Sequence, residues 1–128
     1  MKFLKNTKRY TVLDANVILR YLLNDHNDLS KRAVNIISSN KCIVFLEVVA
    51  EVIYVMQGVY AIERNDIRHA ITELSNDLIF DKYEILEVAL KEYCNTPKKD
   101  FVDCLLYGYY QKGYKVSSFD KKLNILFN

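Results

Sequence analysis

Short apolar runs alternate along this chain with longer stretches in which apolar residues recur at helical spacing. The run "YTVLD" is apolar enough to be buried on both faces and predicts a first strand. A helix should follow over "NVILRYLLN", its apolar side crowded by Val17, Leu19, Tyr21, Leu22 and Leu23. A second helix is expected over "LSKRAVNIISSN", with Asp28 placed to cap it. "CIVF" predicts strand two, and "LEVVAEVIYVMQGVY" a helix that Gly58 would end, although its β-branched residues also suit a long strand. "RNDIRHAITELSND" predicts a helix with an Asn or Asp cap, "LIFD" a short strand, and "YEILEVALKEYC" another helix. In "TPKKDFVDCLLYGYYQKG", Thr96 and Pro97 suit a helix start and Gly113 its end. "YKVSSFD" predicts the last strand, and "KKLNILF" a terminal turn or short strand.

Strands alternating with helices argue for an α/β sandwich with a parallel central sheet, because parallel neighbours need crossover connections and those are usually helices. One proline, three glycines and no low-complexity tract mark no linker, so residues 1–128 read as a single domain able to bury a core. Cys42, Cys94 and Cys104 are widely spaced and sit in apolar or helical contexts, which suits small buried hydrophobes in a reducing compartment. The start, "MKFLKNTKRY", is basic without the apolar core of a signal peptide, and no segment approaches the ~18 apolar residues of a membrane span. A cytoplasmic protein with no membrane attachment is expected.

In parallel sheets, ligands bind beyond the carboxyl ends of the strands, which gives the acids of this chain a place to meet. Asp14 ends the first strand and Asp120 the last, so two parallel central strands would bring both carboxylates to one edge. Asp100 and Asp103, three apart at the start of "DFVDCLLYGYY", share a helix face near its positive end. Glu51 interrupts the apolar run "VVAEVIYVM", and Glu47, one turn earlier, is a reserve ligand. Each acid taken singly has an ordinary explanation as a helix-start, turn or rim charge. Asp14 has the weakest such explanation, since a carboxylate beside a core strand needs a partner.

Several carboxylates in one pocket raise one another's pKa unless a cation neutralises them. Oxygen ligands without His or Cys suit magnesium or manganese rather than zinc. His26 and His69, the only histidines, lie outside the acidic segments and read as surface or helix residues. Ions of this class retain water and position a phosphodiester for in-line attack, so nucleic-acid hydrolysis is the natural chemistry. The chain has 18 basic and 16 acidic residues; with five acids gathered in a pocket, the rest of the surface carries about +7, a balance that suits a polyanion. Ordinary solvated lysines give the same balance. Lys98, Lys99, Lys121 and Lys122 flank the acids as candidate phosphate contacts, and Tyr54, Tyr60 and the Tyr107–Tyr114 group could stack on bases, though core and rim packing explains the tyrosines equally simply.

"VLDANVILRYLL", "EVIYVM", "DFVDCLL" and "SSFDKKL", in that order and over most of the chain, resemble the PIN-domain nucleases, especially the VapC-like ribonuclease toxins of bacterial toxin–antitoxin pairs. The resemblance implies a three-layer α/β/α sandwich with a parallel sheet and a Mg2+- or Mn2+-dependent endoribonuclease. It makes Asp14, Glu51, Asp103 and Asp120 the metal-site acids and Asp100 an assisting acid, with Asn16 and Ser118 as supporting polar positions. The partners it implies are an RNA substrate, tRNA among the candidates, a cognate antitoxin protein, and a second copy of the chain in a homodimer. Three departures stand out: Ala15 where the family usually has Thr or Ser, Tyr107, Tyr109 and Tyr110 where it tends to Ala, and Cys104 for a common Ala. None removes a ligand. A catalytically silent PIN-like module that binds RNA or protein is the alternative. A signalling receiver domain, with Asp81 as phosphoacceptor, lacks the paired acid beside Asp14, and a dehalogenase-type phosphatase would need an Asp where Asn16 stands.

Overall fold

The computed structural model describes residues 9–127, so the basic segment before Arg9 lies outside the described residues. Among those described, three short strands and seven helices alternate: β1 (Thr11–Val12), α1 (Ala15–Leu23), α2 (Asn27–Ser39), β2 (Cys42–Val44), α3 (Leu46–Gly58), α4 (Arg64–Leu74), β3 (Ile79–Phe80), α5 (Tyr83–Asn95), α6 (Phe101–Gln111) and α7 (Lys121–Phe127). The strands form one parallel sheet in the order β1-β2-β3, with Thr11 opposite Cys42, Val12 opposite Ile43, Ile43 opposite Ile79 and Val44 opposite Phe80. All three residues of β2 are buried, as expected of a central parallel strand. The carboxyl ends of β1, β2 and β3 therefore share an edge, where the chain turns into α1, α3 and α5. The structure thus establishes a mixed α/β fold on a parallel sheet, with helix outweighing strand. No described helix is long and apolar enough to cross a membrane.

One core runs from Leu13 to Leu105 and draws on every element from α1 to α6. Its largest wholly buried side chain is Tyr93 of α5. The Tyr93 hydroxyl donates to Gln57 Oε1 of α3, its ring lies under the Arg64 guanidinium of α4 at 4.1 Å, and it meets Phe101 of α6 edge-on at 5.7 Å. Burial of a tyrosine is tolerated here because its hydroxyl is satisfied. The cysteines are free, and burial pushes the Cys104 thiol up to about 12, which makes it inert packing material.

Several boundaries differ from the sequence reading. "YKVSSFD" forms no strand: residues 114–118 have no regular structure. Local side-chain bonds win there, since Asp120 N–H donates to Ser118 Oγ at 3.0 Å and Asn124 Nδ2 donates to the Ser118 carbonyl, folding the segment into the start of a helix. "KKLNILF" is accordingly helical, as α7. The cap of α2 is His26, whose Nδ1 accepts from Leu29 N–H at 3.1 Å, while Asp28 sits inside the first turn. Thr96 closes α5 rather than opening α6, which begins at Phe101 behind Asp100. Glu63 precedes α4 without a side-chain cap bond, where an Asn or Asp cap was expected. Gly113, at a φ of +97°, follows the end of α6 as anticipated, in a conformation that favours glycine.

The α5–α6 pair is the most extensive helix contact, and Gly108 makes it possible. A Cβ at that position would stand 2.9 Å from the Ile85 carbonyl oxygen and 3.2 Å from its Cγ2. The half-buried Tyr107, Tyr109 and Tyr110 flank this close approach, so the bulk of the tyrosines is carried beside the contact rather than in it. Gly108→Ala should force the helices apart and lower stability by about 1–3 kcal/mol, the usual cost of overpacking. Urea denaturation reads this as a lower midpoint; an unchanged midpoint would show that Ile85 yields freely.

Candidate metal centre and the adjoining cleft

Asp14, Asp100 and Asp120 share one local structure: each is the residue immediately before a helix, and each accepts from a first-turn backbone N–H. Asp14 Oδ1 takes Val17 N–H at 3.2 Å, opening α1 at the carboxyl end of β1. Asp100 Oδ1 takes Asp103 N–H at 2.9 Å, opening α6. Asp120 Oδ1 takes Lys122 N–H at 2.9 Å and Leu123 N–H at 3.3 Å, opening α7. Aspartate suits the position because its side-chain oxygen satisfies a donor that the helix leaves unpaired, and the positive helix end favours its charge. In Asp14 and Asp120 only Oδ1 is engaged among the described residues, whereas Asp100 also bonds the side chain of Asp103.

Asp103, three residues into α6, caps nothing. It is half-buried, and its carboxyl is raised above the ordinary aspartate value by burial first, then by the negative charges of Asp100 and Asp120 and by a hydrogen bond with Asp100, with Lys99 pulling the other way. The structure therefore brings Asp100, Asp103 and Asp120 within electrostatic reach of one another. Asp120 arrives there as the cap of α7 and not at a strand end. Asp14 reaches the shared sheet edge through β1, but no hydrogen bond or ion pair ties it to that trio among the described residues. Glu51 also differs from its sequence reading. It lies on an exposed stripe of α3 with Glu47 and Tyr54, not on an apolar face, and has no partner among the described residues. Ser118 supports Asp120 through its backbone, whereas Asn16 is exposed without a hydrogen bond among the described residues.

Among the described residues, no three His, Cys, Asp or Glu side chains gather closely enough to hold an ion. The donor chemistry nevertheless fits a hard divalent cation: the acids offer carboxylate oxygens alone, and the mutual repulsion around Asp103 is what a cation relieves. Lys99 is already committed, its ammonium 3.2 Å from Glu92 and 5.4 Å from the Tyr107 ring centre, so it is no free phosphate contact. Lys98, Lys121 and Lys122 are exposed and unpaired among the described residues.

Between α1 and α2 the structure opens a cleft of roughly 480 Å3 that sequence reasoning missed. Asn16, Val17 and Arg20 line it from α1, and Leu29, Arg32, Ala33 and Ile36 from α2, with His26 at the turn. The signal lay in the spacing: 16 and 20 share one helix face, and 29, 32, 33 and 36 share another. What the sequence hid is that the two faces meet.

Comparison with protein-family models, with curated proteins and with solved structures finds no match for this chain.

Replacing Asp14, Asp100 or Asp120 by Ala should cost about 0.5–2 kcal/mol each, while Asn, which still caps, should cost far less. Thermal denaturation of the six variants distinguishes a cap from a charge held for other reasons. Asp103→Asn should do the opposite and raise the melting temperature of metal-free protein. A carboxyl whose folded pKa is raised binds its proton more tightly folded than unfolded, so its charge opposes folding above that value. The advantage of Asp103→Asn should thus be widest near neutral pH and close as the pH falls through the raised value towards 3.8. A gap that ignores pH would remove the charge cluster from the account.

Proposed function

We propose that this chain is a Mg2+- or Mn2+-dependent endoribonuclease of the PIN-domain type, with the three-layer sandwich of that family, acting as the VapC-like toxin of a toxin–antitoxin pair. The observation that carries the proposal is half-buried Asp103, which caps nothing and stands within electrostatic reach of Asp100 and Asp120. Asp14, Asp100 and Asp120 are each fixed by a backbone bond to Oδ1. Capping fixes the rotamer of each acid, and a preset geometry is what an ion site needs.

On this reading Asp14, Glu51, Asp103 and Asp120 hold the ion and Asp100 assists. When bound, the cation supplies charge neutralisation and a polarised water for attack on a phosphodiester. The residues themselves do the rest. The caps on α1, α6 and α7 hold their acids at helix ends, Ser118 steadies the turn before Asp120, and Asp100 fixes the first turn in which Asp103 stands. Exposed Lys98, Lys121 and Lys122 beside these acids suit phosphates of a single-stranded RNA, tRNA among the candidates. An antitoxin segment that covers the acids, and a homodimer, complete the proposed assembly.

The second reading is the catalytically silent PIN-like module, binding RNA or protein. It is favoured by the fact that capping alone accounts for one oxygen of each of the three aspartates, and by Ala15, which supplies no hydroxyl beside Asp14.

Purified protein free of partners, incubated with total RNA or tRNA and Mg2+ or Mn2+, should give discrete fragments. EDTA should abolish them. Asp14→Asn and Asp103→Asn should slow cleavage on the order of 10²-fold or more, the scale of removing one electrostatic contributor to a transition state. Metal-independent fragments, or full activity in both variants, would refute the enzyme; absence of both cleavage and metal binding would favour the silent module.

A further inference from the structure

The cleft between α1 and α2 combines three features that rarely meet by chance on a small surface. Its walls are apolar, from Val17, Leu29, Ala33 and Ile36. Its rim is cationic, and the cations are not equivalent. Arg20 is held by Asp25 at 2.6 Å, and Asp25 is gripped in turn by the Tyr60 hydroxyl at 3.1 Å. Arg32, by contrast, is exposed and has no partner among the described residues. His26 spends Nδ1 as the acceptor that caps α2, so in the neutral ring Nε2 carries the proton and is a donor. The third feature is Asn16, whose unpartnered amide offers both a donor and an acceptor to the cleft and stands two residues from Asp14.

We infer that this cleft seats one nucleotide of a single-stranded RNA, with its base against the apolar wall of Val17, Leu29 and Ile36, its phosphate on Arg32, and a base edge on Asn16. The inference rests on the endoribonuclease reading and deepens it, because the cleft would select which RNA the acids receive. The shape of the demand favours a nucleotide over an acidic peptide. A nucleotide brings a flat apolar face, an anion and a two-sided hydrogen-bonding edge, and each finds its counterpart here. An acidic peptide could use the wall and pair its backbone with Asn16, but its several carboxylates would find one uncommitted arginine in the lining, Arg32, where a nucleotide brings a single phosphate. The volume, roughly 480 Å3, lies in the range of small-ligand sites. Asn16 stands in the first turn of α1, the turn that Asp14 caps, so one wall of the cleft belongs to the helix that carries Asp14.

The test is nuclear magnetic resonance of the uniformly 15N-labelled protein in EDTA, where no cleavage occurs. Each of the four nucleoside 5′-monophosphates is titrated in turn, beside inorganic phosphate, ribose 5-phosphate and the peptide Ac-Leu-Glu-Leu-Glu-Leu. At least one nucleotide should shift the amides of Val17, Leu29, Arg32 and Ile36 saturably, about tenfold more tightly than phosphate or ribose phosphate. Arg32→Ala and Leu29→Ala, both at exposed positions, should each weaken that nucleotide about tenfold, while Arg68→Ala on exposed α4 should not. Equal shifts from phosphate alone would reduce the cleft to an anion site and overturn the proposal. Shifts from the peptide but from no nucleotide would assign it to a protein partner and overturn it likewise, as would silence in the cleft or an Arg32→Ala variant with full affinity. Because no metal is present in the titration, nucleotide binding by a protein that shows neither RNA cleavage nor metal binding would favour the silent module and still support the cleft. Cleavage without nucleotide binding would do the reverse.

Discussion

The constraint on which this structure turns is the unpaired N–H groups at the start of each helix. Parallel strands oblige the chain to pass from strand to helix at one edge of the sheet, and every such passage exposes backbone donors that need acceptors. At α1 the acceptor is Asp14, and at α6 and α7, which follow irregular segments, it is Asp100 and Asp120. At these three helices the requirement fixes a carboxylate, whereas α3, α4 and α5 begin without a side-chain cap bond. At α2 the requirement is met by Nδ1 of His26, a residue that also lines the cleft. Acids and cleft are two products of one demand.

How much of this was legible depended on whether the deciding interaction was local. The strand in "YTVLD" and the helix after it were readable because an apolar run, an Asp and a helical repeat all point the same way within a dozen residues, but β1 is not buried on both faces, since Val12 is 60% exposed. That α3, α5 and α6 are helices was legible as well. The segment "YKVSSFD" misled because its alternation suits a strand, while its Ser and Asp side chains offered the backbone nearer partners. Thr96 and Pro97 resembled a helix start, yet Thr96 ends α5 with its hydroxyl on Glu92 at 3.0 Å, and the chain needs a further turn before Asp100 can cap α6. Glu51 was misplaced for a different reason: one acid in an apolar run fits either face of a helix until the packing partner is known. The cleft was invisible because its walls belong to two helices whose meeting no local pattern records.

The tyrosines show the same division between local and tertiary causes. Ten of them invited a role in stacking on bases. The structure gives several a structural role instead: Tyr93 ties α3, α4 and α6 to α5, Tyr60 holds Asp25, Tyr21 donates to Asp77 at 2.9 Å, and Tyr109 packs edge-on against Tyr114. Tyr54, mostly exposed on the stripe with Glu51, retains a free surface.

Capping by itself is a sufficient reason for Asp14, Asp100 and Asp120, so those three cannot alone argue for chemistry. The weight falls on the acids that cap nothing. Asp103 is half-buried among like charges, a position that costs stability and that an uncharged residue of the same shape would fill more cheaply. The positive end of α6 softens that cost without cancelling it, since the carboxyl remains raised despite the helix and Lys99. A fold that needed only helix caps has no use for Asp103. Its place at the first turn of α6, within electrostatic reach of two fixed carboxylates, is intelligible as the position of a cation's ligand, and that is why the proposed ion site centres on Asp103 rather than on the better-anchored aspartates around it.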